Sequence, residues 1–411
     1  MNYNETIEYI HSTPKFARTL GNELLRRLLN KLNNPQDKLK FIHIAGTNGK
    51  GSCAVMLAEI LKTSGYRVGL FTSPYITCFN ERIRIDGEKI PNAKLAEITT
   101  RIRESIEKYD TPVSEFALDT AIAFEYFAEE KCDIVVLETG LGGRLDATNV
   151  IKVPLITVLM SIGFDHMQYL GDTIEEITAE KCGIIKESRP VIVYPCMNDN
   201  AVSVIKKFCA EKNASYIQAD MPKKCRGGLI YNKNEYELSL GGDFQIYNAA
   251  TVLKAAEVLN SLGLNINDTA VFNGLKSAKN PARFETLECG LIIDGAHNKP
   301  ASAALCEMLK ALNQPICLCI AMMADKDISG VVSEFSSLSP YVIATEIPMP
   351  RCAAAERIST EFSRHGISAV IEKNPIKAAR LALAQADKIP VVCGSLYLAA
   401  EIRKNFKSRD D

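Results

Sequence analysis

A short apolar segment that runs into a glycine-rich turn constrains this chain more than any other feature of its sequence. Residues 42–52 read Ile-His-Ile-Ala-Gly-Thr-Asn-Gly-Lys-Gly-Ser. Apolar side chains then recur at helical spacing over residues 54–61, and Gly65 follows as a C-terminal cap. We therefore predict a strand, a tight turn and an amphipathic helix in that order.

The turn has the composition of a phosphate-binding loop. Glycines let backbone N–H groups point inward, the start of the helix adds positive potential, and Lys50 supplies a point charge for the β- and γ-phosphates. The hydroxyl of Ser52 can bind Mg²⁺. The general P-loop pattern is matched incompletely, because Gly51 separates Lys50 from Ser52. The alternative is a tight turn in which the glycines serve geometry alone and Lys50 is exposed to solvent.

Short apolar runs alternate with helical segments along much of the chain. Strands are predicted at residues 41–45, 68–71, 134–137, 155–160 and 191–194, and again at 291–293, 316–321, 341–344 and 391–393. This alternation predicts an α/β fold with a doubly wound, mostly parallel sheet. The pattern breaks near residue 285. We therefore predict a P-loop-containing ATP-binding domain over residues 1–284 and a smaller Rossmann-like α/β domain over residues 285–411.

Composition narrows the class of partner and the compartment. With 47% hydrophobic residues and a net charge of -1, the chain offers no electrostatic basis for binding nucleic acid or anionic lipid. Its 13 cysteines include no CxxC pair, which favours buried thiols in a reducing compartment. The N-terminus has no basic start before an apolar run, and no apolar stretch reaches the roughly 20 residues that span a membrane. We expect a cytoplasmic protein with small-molecule partners and no membrane association.

Several further motifs lie before and after the glycine-rich loop in a fixed order. They are Asn34-Pro35-Gln36, Thr72-Ser73-Pro74, Asn80-Glu81-Arg82-Ile83, Glu138-Thr139-Gly140-Leu141-Gly142-Gly143-Arg144, Phe164-Asp165-His166, Glu180-Lys181-Cys182-Gly183, Ala282-Arg283-Phe284-Glu285, Asp294-Gly295-Ala296-His297-Asn298, Asp325-Lys326-Asp327 and Gly394-Ser395-Leu396-Tyr397. Together with the loop they resemble the folylpolyglutamate synthase/dihydrofolate synthase family of the Mur ligase superfamily. The resemblance implies a ligase that uses Mg-ATP to activate a carboxylate as an acyl phosphate and joins it to L-glutamate, with a folate or dihydropteroate as acceptor.

The resemblance also implies which residues bind the nucleotide. The phosphate loop comprises Gly46, Thr47, Asn48, Gly49, Lys50, Gly51 and Ser52, and Gln245 and Asn248 lie near the base. Asn248 can equally be a helix N-cap. Arg283, Asp294 and His297 are expected to face ATP across the cleft when the two domains close. Arginine is a natural phosphate clamp, and an aspartate suits ribose hydroxyls.

Two divalent-ion positions are implied, with Ser52, Glu138, His166 and Lys181 as their ligands. Glu138 ends an apolar strand at the carboxyl edge of the sheet, where a carboxylate suits Mg²⁺. The alternatives are an exposed Glu138 and a hydrogen-bonded structural His166. In this family the lysine at the position of Lys181 is carbamylated, which turns a cation into an anionic oxygen ligand; the alternative is an ordinary surface lysine.

The implied catalytic residues are Lys50, Lys181, His166 and Arg283. Phosphorylation of the acceptor carboxylate creates a leaving group, and the glutamate amine then displaces phosphate from a tetrahedral intermediate. Tyr75 departs from the family pattern, where histidine is common. Ala117 departs from it as well, where glutamate is common. Both lie in segments that we expect to border the pterin site, so the acceptor stays open between dihydropteroate and reduced folates.

Two other functions remain as alternatives. One is a cell-wall peptide ligase of the same superfamily, although only about 40 residues precede the first strand, too few for the UDP-binding domain of such enzymes. The other is a regulatory ATPase that ligates nothing. We expect a monomer.

Overall fold

The computed structural model describes residues 1–14 and 22–406, which form two compact units. The first unit contains Met1–Gly163, Met167–Ser239 and Gln245–Lys279. The second contains Phe164–His166, Leu240–Phe244 and the chain from Asn280 onward. It therefore includes two short segments that precede the boundary predicted near residue 285, and that boundary stays a prediction.

Helices alternate with strands along most of the chain. In chain order, the helices of the described residues are α1 Tyr3–Ser12, α2 Glu23–Lys31, α3 Lys50–Thr63, α4 Asn92–Tyr109, α5 Glu115–Glu129, α6 Met167–Leu170, α7 Ile174–Cys182, α8 Asp199–Glu211, α9 Gln245–Ser261, α10 Asp268–Ser277, α11 Lys299–Ala311, α12 Ile328–Ser336, α13 Ala355–Arg364, α14 Pro375–Leu383 and α15 Leu396–Phe406. Short 3₁₀ turns lie at Pro35–Lys38, Phe79–Arg82 and Ala147–Val150.

The strands belong to three sheets. They are β1 Phe41–Ala45, β2 Val68–Phe71, β3 Ile83–Ile85, β4 Glu88–Lys89, β5 Ile134–Glu138, β6 Ile156–Leu159, β7 Val191–Val193, β8 Tyr216–Gln218, β9 Lys223–Cys225, β10 Gly228–Tyr231, β11 Asn234–Glu237, β12 Glu285–Thr286, β13 Ile292–Ile293, β14 Ile316–Ile320, β15 Tyr341–Ala344, β16 Ala369–Ile371 and β17 Ile389–Cys393.

The largest sheet has the order β4-β3-β2-β5-β1-β6-β7-β8. Strands β2, β5, β1, β6, β7 and β8 are parallel, and β3 and β4 form an antiparallel edge. The central strands are buried along their whole length, as expected for a parallel sheet covered on both faces. This confirms the predicted doubly wound α/β fold, and β1 and β2 have the predicted bounds.

The polar strands of the first unit were not predicted. The β3–β4 edge and the small antiparallel sheet β11-β10-β9 are short, and β9 and β11 carry mostly exposed polar residues. β4, β9 and β11 lack both the continuous apolar run and the clear alternation that mark a buried strand, and β3 and β10 are only three and four residues long.

The second unit is built on a six-stranded sheet of order β12-β13-β17-β14-β15-β16. All neighbouring pairs are parallel except β12 with β13. Its core is apolar and packs α11, α12 and α13 around residues such as Leu318, Val332 and Phe362. The smaller α/β architecture predicted for the C-terminal part is thereby confirmed.

Helix α3 differs from its predicted amphipathic pattern. Its buried residues are Ser52, Cys53, Ala54, Val55, Met56, Leu57, Ile60 and Leu61, so it is covered on most of its surface. Helices α9 and α10 pack on it in addition to the sheet. A helix enclosed in this way anchors the preceding loop firmly.

Two expectations from composition can be compared with the fold. Cys132, Cys182 and Cys393 are buried thiols, as predicted. Within residues 1–14 and 22–406, no helix combines the length and apolar character that crossing a membrane requires.

Candidate active site

The glycine-rich turn joins β1 to α3 and is clamped by the segment that follows β6. The Thr47 N–H donates to Ser161 O at 2.7 Å. The Thr47 hydroxyl donates to Gly163 O at 3.0 Å and accepts from the Gly163 N–H at 3.1 Å. The Asn48 N–H also points to Ser161 O, at 3.4 Å. The ends of β1 and β6, which are neighbours in the sheet, thus fix the path of the loop.

Gly49 caps α3 and can be only glycine without strain. Its φ is 84°, and an added Cβ would lie 2.5 Å from Asn248 Oδ1. Asn248 donates to Gln245 Oε1 at 2.9 Å, and Gln245 donates to Ser52 Oγ at 3.2 Å. Asn248 and Gln245 are buried, and Asn248 lies inside α9, so it is not an N-cap. The two amides therefore brace the phosphate loop and its serine.

Two lysines converge on one carbonyl oxygen of the loop. Lys50 Nζ lies 3.0 Å from Gly46 O and 3.3 Å from Thr47 O. Lys181 Nζ, from α7, lies 3.0 Å from the same Gly46 O. The Lys181 residue is only 3% exposed, which excludes the surface-lysine alternative. Two cations at the N-terminus of α3 create strongly positive potential, which suits an anion.

Glu138 ends β5 at the carboxyl edge of the sheet and is also buried. It is 3% exposed, and its Oε2 accepts from the Ser73 N–H at 3.0 Å. The exposed-glutamate alternative is therefore wrong. The turn that follows Glu138 is held by Asp146, whose Oδ2 accepts from the N–H groups of Gly140 and Leu141, both at 2.9 Å.

A buried polar chain continues from Asp146 beneath the loop, and sequence reasoning missed it. The Thr148 hydroxyl donates to Asp146 Oδ1 at 2.5 Å, and His43 Nε2 lies 2.8 Å from the same hydroxyl. Burial raises the pKa of Asp146, against its hydrogen bonds, and burial lowers the pKa of His43 to about 3. His43 therefore stays neutral at physiological pH. A histidine in an apolar strand directly before the loop was the available signal.

In the second unit, Arg283 and Asp294 lie side by side. Asp294 is buried and accepts from the N–H groups of Phe284 and Ala296, at 2.8 and 2.7 Å. Burial raises the pKa of Asp294, and the charge of Arg283 opposes that rise. Ala282 and Phe284, which flank Arg283, both have left-handed φ, 57° and 51°. For residues other than glycine this backbone costs energy, so Arg283 sits in a strained turn.

Asp165 is the centre of a charged cluster in the second unit. Its Oδ1 accepts from Lys326 Nζ at 2.7 Å, and its Oδ2 accepts from Asn298 Nδ2 at 2.9 Å. His297 Nε2 lies 3.6 Å from Asp165 Oδ2. Burial raises the pKa of Asp165, but the nearby His297, His166 and Lys326 outweigh burial and hold that pKa well below its usual range. Sequence reasoning assigned no role to Asp165 or Lys326.

His166 follows Asp165 with a left-handed φ of 51°. Its Nε2 lies 3.5 Å from Lys326 Nζ, so a lysine neighbours the proposed metal-ligand histidine. Among the residues that the structure describes, no group of three or more His, Cys, Asp or Glu side chains is arranged to hold a metal ion. A metal site that uses the predicted ligands Ser52, Glu138, His166 and Lys181 therefore needs further oxygen donors.

The structure thus places the predicted residues in two groups. Gly46, Thr47, Asn48, Gly49, Lys50, Gly51, Ser52, Glu138, Lys181, Gln245 and Asn248 belong to the first unit. His166, Arg283, Asp294 and His297 belong to the second. Within each group the side chains are buried or half-buried, and the nucleotide roles assigned to them remain predictions.

Comparison with known proteins shows two family matches. Residues 44–256 match the Mur ligase middle domain, and residues 282–396 match the Mur ligase glutamate ligase domain. A folylpolyglutamate synthase of Lacticaseibacillus casei is 35% identical, and the alignment covers 99% of this chain and 99% of that protein. A dihydrofolate synthase/folylpolyglutamate synthase of Bacillus subtilis is 34% identical, over 98% of this chain and 99% of that one.

Solved structures give the same result for the fold. The structure of Escherichia coli FolC in complex with DHPP and ADP superposes with a TM-score of 0.87 at 28% identity, and covers 98% of this chain and 97% of that chain. These similarities confirm the family resemblance that the motifs indicated.

Proposed function

Because the chain belongs to the Mur ligase family, in its folylpolyglutamate synthase/dihydrofolate synthase branch, we propose that it is an ATP-dependent, ADP-forming ligase. It joins L-glutamate to the carboxylate of a folate or of dihydropteroate. The observation that carries this proposal is the position of Lys50, whose Nζ lies 3.0 Å from the Gly46 carbonyl oxygen at the N-terminus of α3. That arrangement concentrates positive charge where a triphosphate would lie.

The phosphate loop supplies the nucleotide contacts. Backbone N–H groups at the start of α3 and the ammonium of Lys50 bind the β- and γ-phosphates. The enclosed helix α3 and the Gln245–Asn248 pair keep the loop rigid, so little ordering cost remains when the nucleotide binds. We propose Arg283, Asp294 and His297 as further nucleotide ligands.

The donor atoms in the first unit fit a magnesium ion. Ser52 Oγ and the Glu138 carboxylate are buried oxygen donors, and Mg²⁺ prefers oxygen. When bound, the ion neutralises charge on the phosphate oxygens during transfer. Ser52 and Glu138 would hold the first ion. His166 would serve a second.

Lys181 gains a clear role if its amine is carbamylated. As an ammonium it adds charge beside Lys50, whereas a carbamate on Nζ is an anionic oxygen ligand that offsets the divalent ions. Lys181 is only 3% exposed, so a carbamate on its Nζ would be protected from water. We therefore infer that the active enzyme carries a carbamate on Lys181.

The reaction proceeds in two steps. The acceptor carboxylate oxygen attacks the γ-phosphorus of ATP, the bond to the β-phosphate oxygen breaks, and ADP leaves. The glutamate amine then attacks the acyl carbon, loses a proton, and inorganic phosphate departs from the tetrahedral intermediate. Lys50 and Arg283 stabilise the charge that moves onto the phosphate oxygens, and exclusion of water protects the acyl phosphate from hydrolysis.

One chain is expected to accept two pterin substrates. Purified protein should ligate glutamate to dihydropteroate and, separately, to a reduced folate, because a single acceptor carboxylate chemistry serves both. ADP release is measured for each acceptor in the presence of glutamate. Control assays omit the acceptor or the glutamate. If the protein is active on reduced folates but not on dihydropteroate, it is a folylpolyglutamate synthase without dihydrofolate synthase activity. ADP release that needs neither acceptor nor glutamate refutes the ligase proposal.

A further inference from the structure

A buried ion pair in the first unit has little value for stability. Asp119 Oδ2 lies 3.6 Å from Arg82 Nε, and the Asp119 side chain is 1% exposed. Both Asp119 oxygens, together with Arg82 Nε and Nη1, are buried without a hydrogen-bond partner. Removing two charges from water costs more than their attraction returns unless hydrogen bonds complete the geometry. The pair therefore calls for another explanation.

The titration of Asp119 strengthens this conclusion. Burial raises the pKa of Asp119 to about 7 from 3.8, even though the charge of Arg82 opposes the rise. A carboxyl whose pKa is raised by folding contributes its full stability below the unfolded value and loses it as pH rises through the folded value. Between pH 3.8 and about 7 the fold therefore loses stability, because Asp119 ionises in the unfolded chain while burial keeps it protonated in the fold.

Arg82 in turn fixes two aromatic rings. Its guanidinium carbon lies 5.2 Å from the centre of the Tyr75 ring and 5.8 Å from that of Phe79. The Tyr75 hydroxyl lies 3.4 Å from His11 Nε2, and His11 Nδ1 lies 2.9 Å from Glu115 Oε1. Side chains from α1 and α5 therefore hold Tyr75 from one side while Arg82 stacks on it from another.

Both rings belong to residues 72–82, which we call the 72–82 loop. Arg82 and Glu81, at the end of this loop, bind the backbone at its beginning. The Arg82 carbonyl accepts from the Thr72 N–H at 3.0 Å. Glu81 Oε2 accepts from the N–H groups of Ile76 and Thr77, at 2.8 and 3.0 Å. Anchoring Arg82 to α5 through Asp119 therefore anchors the whole loop.

This loop contacts the candidate metal ligand directly. The Ser73 N–H donates to Glu138 Oε2 at 3.0 Å. The first turn of α5 lies against the turn that follows Glu138, since a Cβ on Gly140 would be 2.6 Å from Phe116 Cζ. Helix α5, the 72–82 loop and Glu138 thus form one contiguous packed group.

We propose that Asp119 is a positioning residue for the ligase reaction, because its pairing with Arg82 holds the 72–82 loop where the Ser73 amide orients the Glu138 carboxylate. The inference rests on the proposed function. Asp119 acts through Arg82 and touches no substrate. The incompletely bonded pair lowers the stability of the fold, and it is kept because the loop needs a fixed position.

The kinetic test uses Asp119→Asn and the conservative Asp119→Glu. Glu125→Gln is the matched control, because Glu125 lies on the same helix and forms a separate pair with Arg101 at 3.0 Å. Asp119→Asn should lower kcat/KM for the acceptor about 10-fold while affinity for ADP stays unchanged. Asp119→Glu should retain most of the activity, and Glu125→Gln should match the wild type in both measurements.

A pH profile distinguishes positioning from a purely structural role. The charged groups around Asp119 are Arg82, Glu115 on its own helix and His11 on α1. In the wild type, kcat/KM for the acceptor should gain a component that rises through about pH 7 as Asp119 ionises. Asp119→Asn should remove that component.

A double variant keeps the test valid if Asp119→Asn folds poorly. R82M/D119L removes both buried charges, which should leave the fold at least as stable. It should still lose kcat/KM for the acceptor, and hydrogen exchange at the amides of Ser73, Ile76 and Thr77 should accelerate. Wild-type kcat/KM or unchanged exchange in this variant would overturn the proposal. If the wild-type protein binds ADP but ligates neither acceptor, the proposed function is refuted instead. Hydrogen exchange in the variant then tests only whether the Asp119–Arg82 pair anchors the 72–82 loop.

Discussion

Replacing Gly49 with alanine tests the nucleotide loop directly, because the same change at Gly65 is a matched control. Both glycines have left-handed φ, 84° and 90°. Alanine at either position incurs roughly 1–2 kcal/mol of backbone strain. At Gly65 the added Cβ meets no atom within 4 Å, whereas at Gly49 it lies 2.5 Å from Asn248 Oδ1.

The contact at Gly49 adds a second cost. Asn248 has to move, which breaks its 2.9 Å hydrogen bond to Gln245 and disturbs the bond from Gln245 to Ser52. Loss of a buried hydrogen bond costs about 1 kcal/mol. Gly49→Ala should therefore lose roughly 2–3 kcal/mol of folding free energy, against roughly 1–2 kcal/mol for Gly65→Ala.

The two variants are compared by thermal unfolding and by steady-state ligation at varied ATP concentration. Gly49→Ala should raise the KM for ATP about 10-fold or more, because the loop and Ser52 no longer hold their positions. Gly65→Ala should leave that KM unchanged. Equal unfolding temperatures together with equal ATP KM values in the two variants would refute the reasoning.

Three further predictions concern charged residues. Lys50→Ala should fold normally, by circular dichroism, yet lose about 10³-fold in turnover, and near wild-type ligation would contradict the placement of ATP. Lys181→Ala and Lys181→Arg should both ligate poorly, with short carboxylic acids partly restoring the alanine variant only; full activity of Lys181→Arg would exclude a carbamate. Asp165→Asn should destabilise the fold by about 1.5–3 kcal/mol at pH 7, because the half-buried Lys326 loses its charged hydrogen-bond partner. Since folding lowers the pKa of Asp165, its contribution exists above the unfolded value of 3.8 and is lost as pH falls. In urea unfolding, the difference in unfolding free energy between wild type and Asp165→Asn should therefore become smaller as pH falls. A difference that does not change with pH would contradict the lowered pKa of Asp165.

The buried parallel strands could be predicted from the sequence because burial on both faces demands an uninterrupted apolar run. β1, β2 and β15 match their predicted bounds for this reason. The strand β11, Asn234–Glu237, could not be predicted, because three of its four residues are exposed and only Tyr236 faces inward. Tertiary pairing with β10, and not local pattern, makes it a strand.

The candidate site could be predicted only where the chemistry lies within a short segment. The loop around Lys50 was visible because its glycines and its lysine are adjacent in sequence. The chain from Gln245 to Ser52 spans 193 residues, and no local pattern reports such a contact. The burial of Lys181 was equally hidden, because a lysine after Glu180 on a polar helix looks exposed until α7 is packed.

The discontinuous make-up of the second unit has a consequence for biosynthesis. Asp165 leaves the ribosome well before its partner Lys326, which follows it by 161 residues, and His297 also emerges later. Domains tend to fold in the order in which they are made, so the nascent chain carries Asp165 without Lys326 for roughly 8–30 seconds at ordinary elongation rates of roughly 5–20 residues per second. The second unit cannot complete its charged cluster until translation has passed residue 326. A ribosome-stalled chain that ends before that residue should therefore hold the segment Phe164–His166 in a non-native environment.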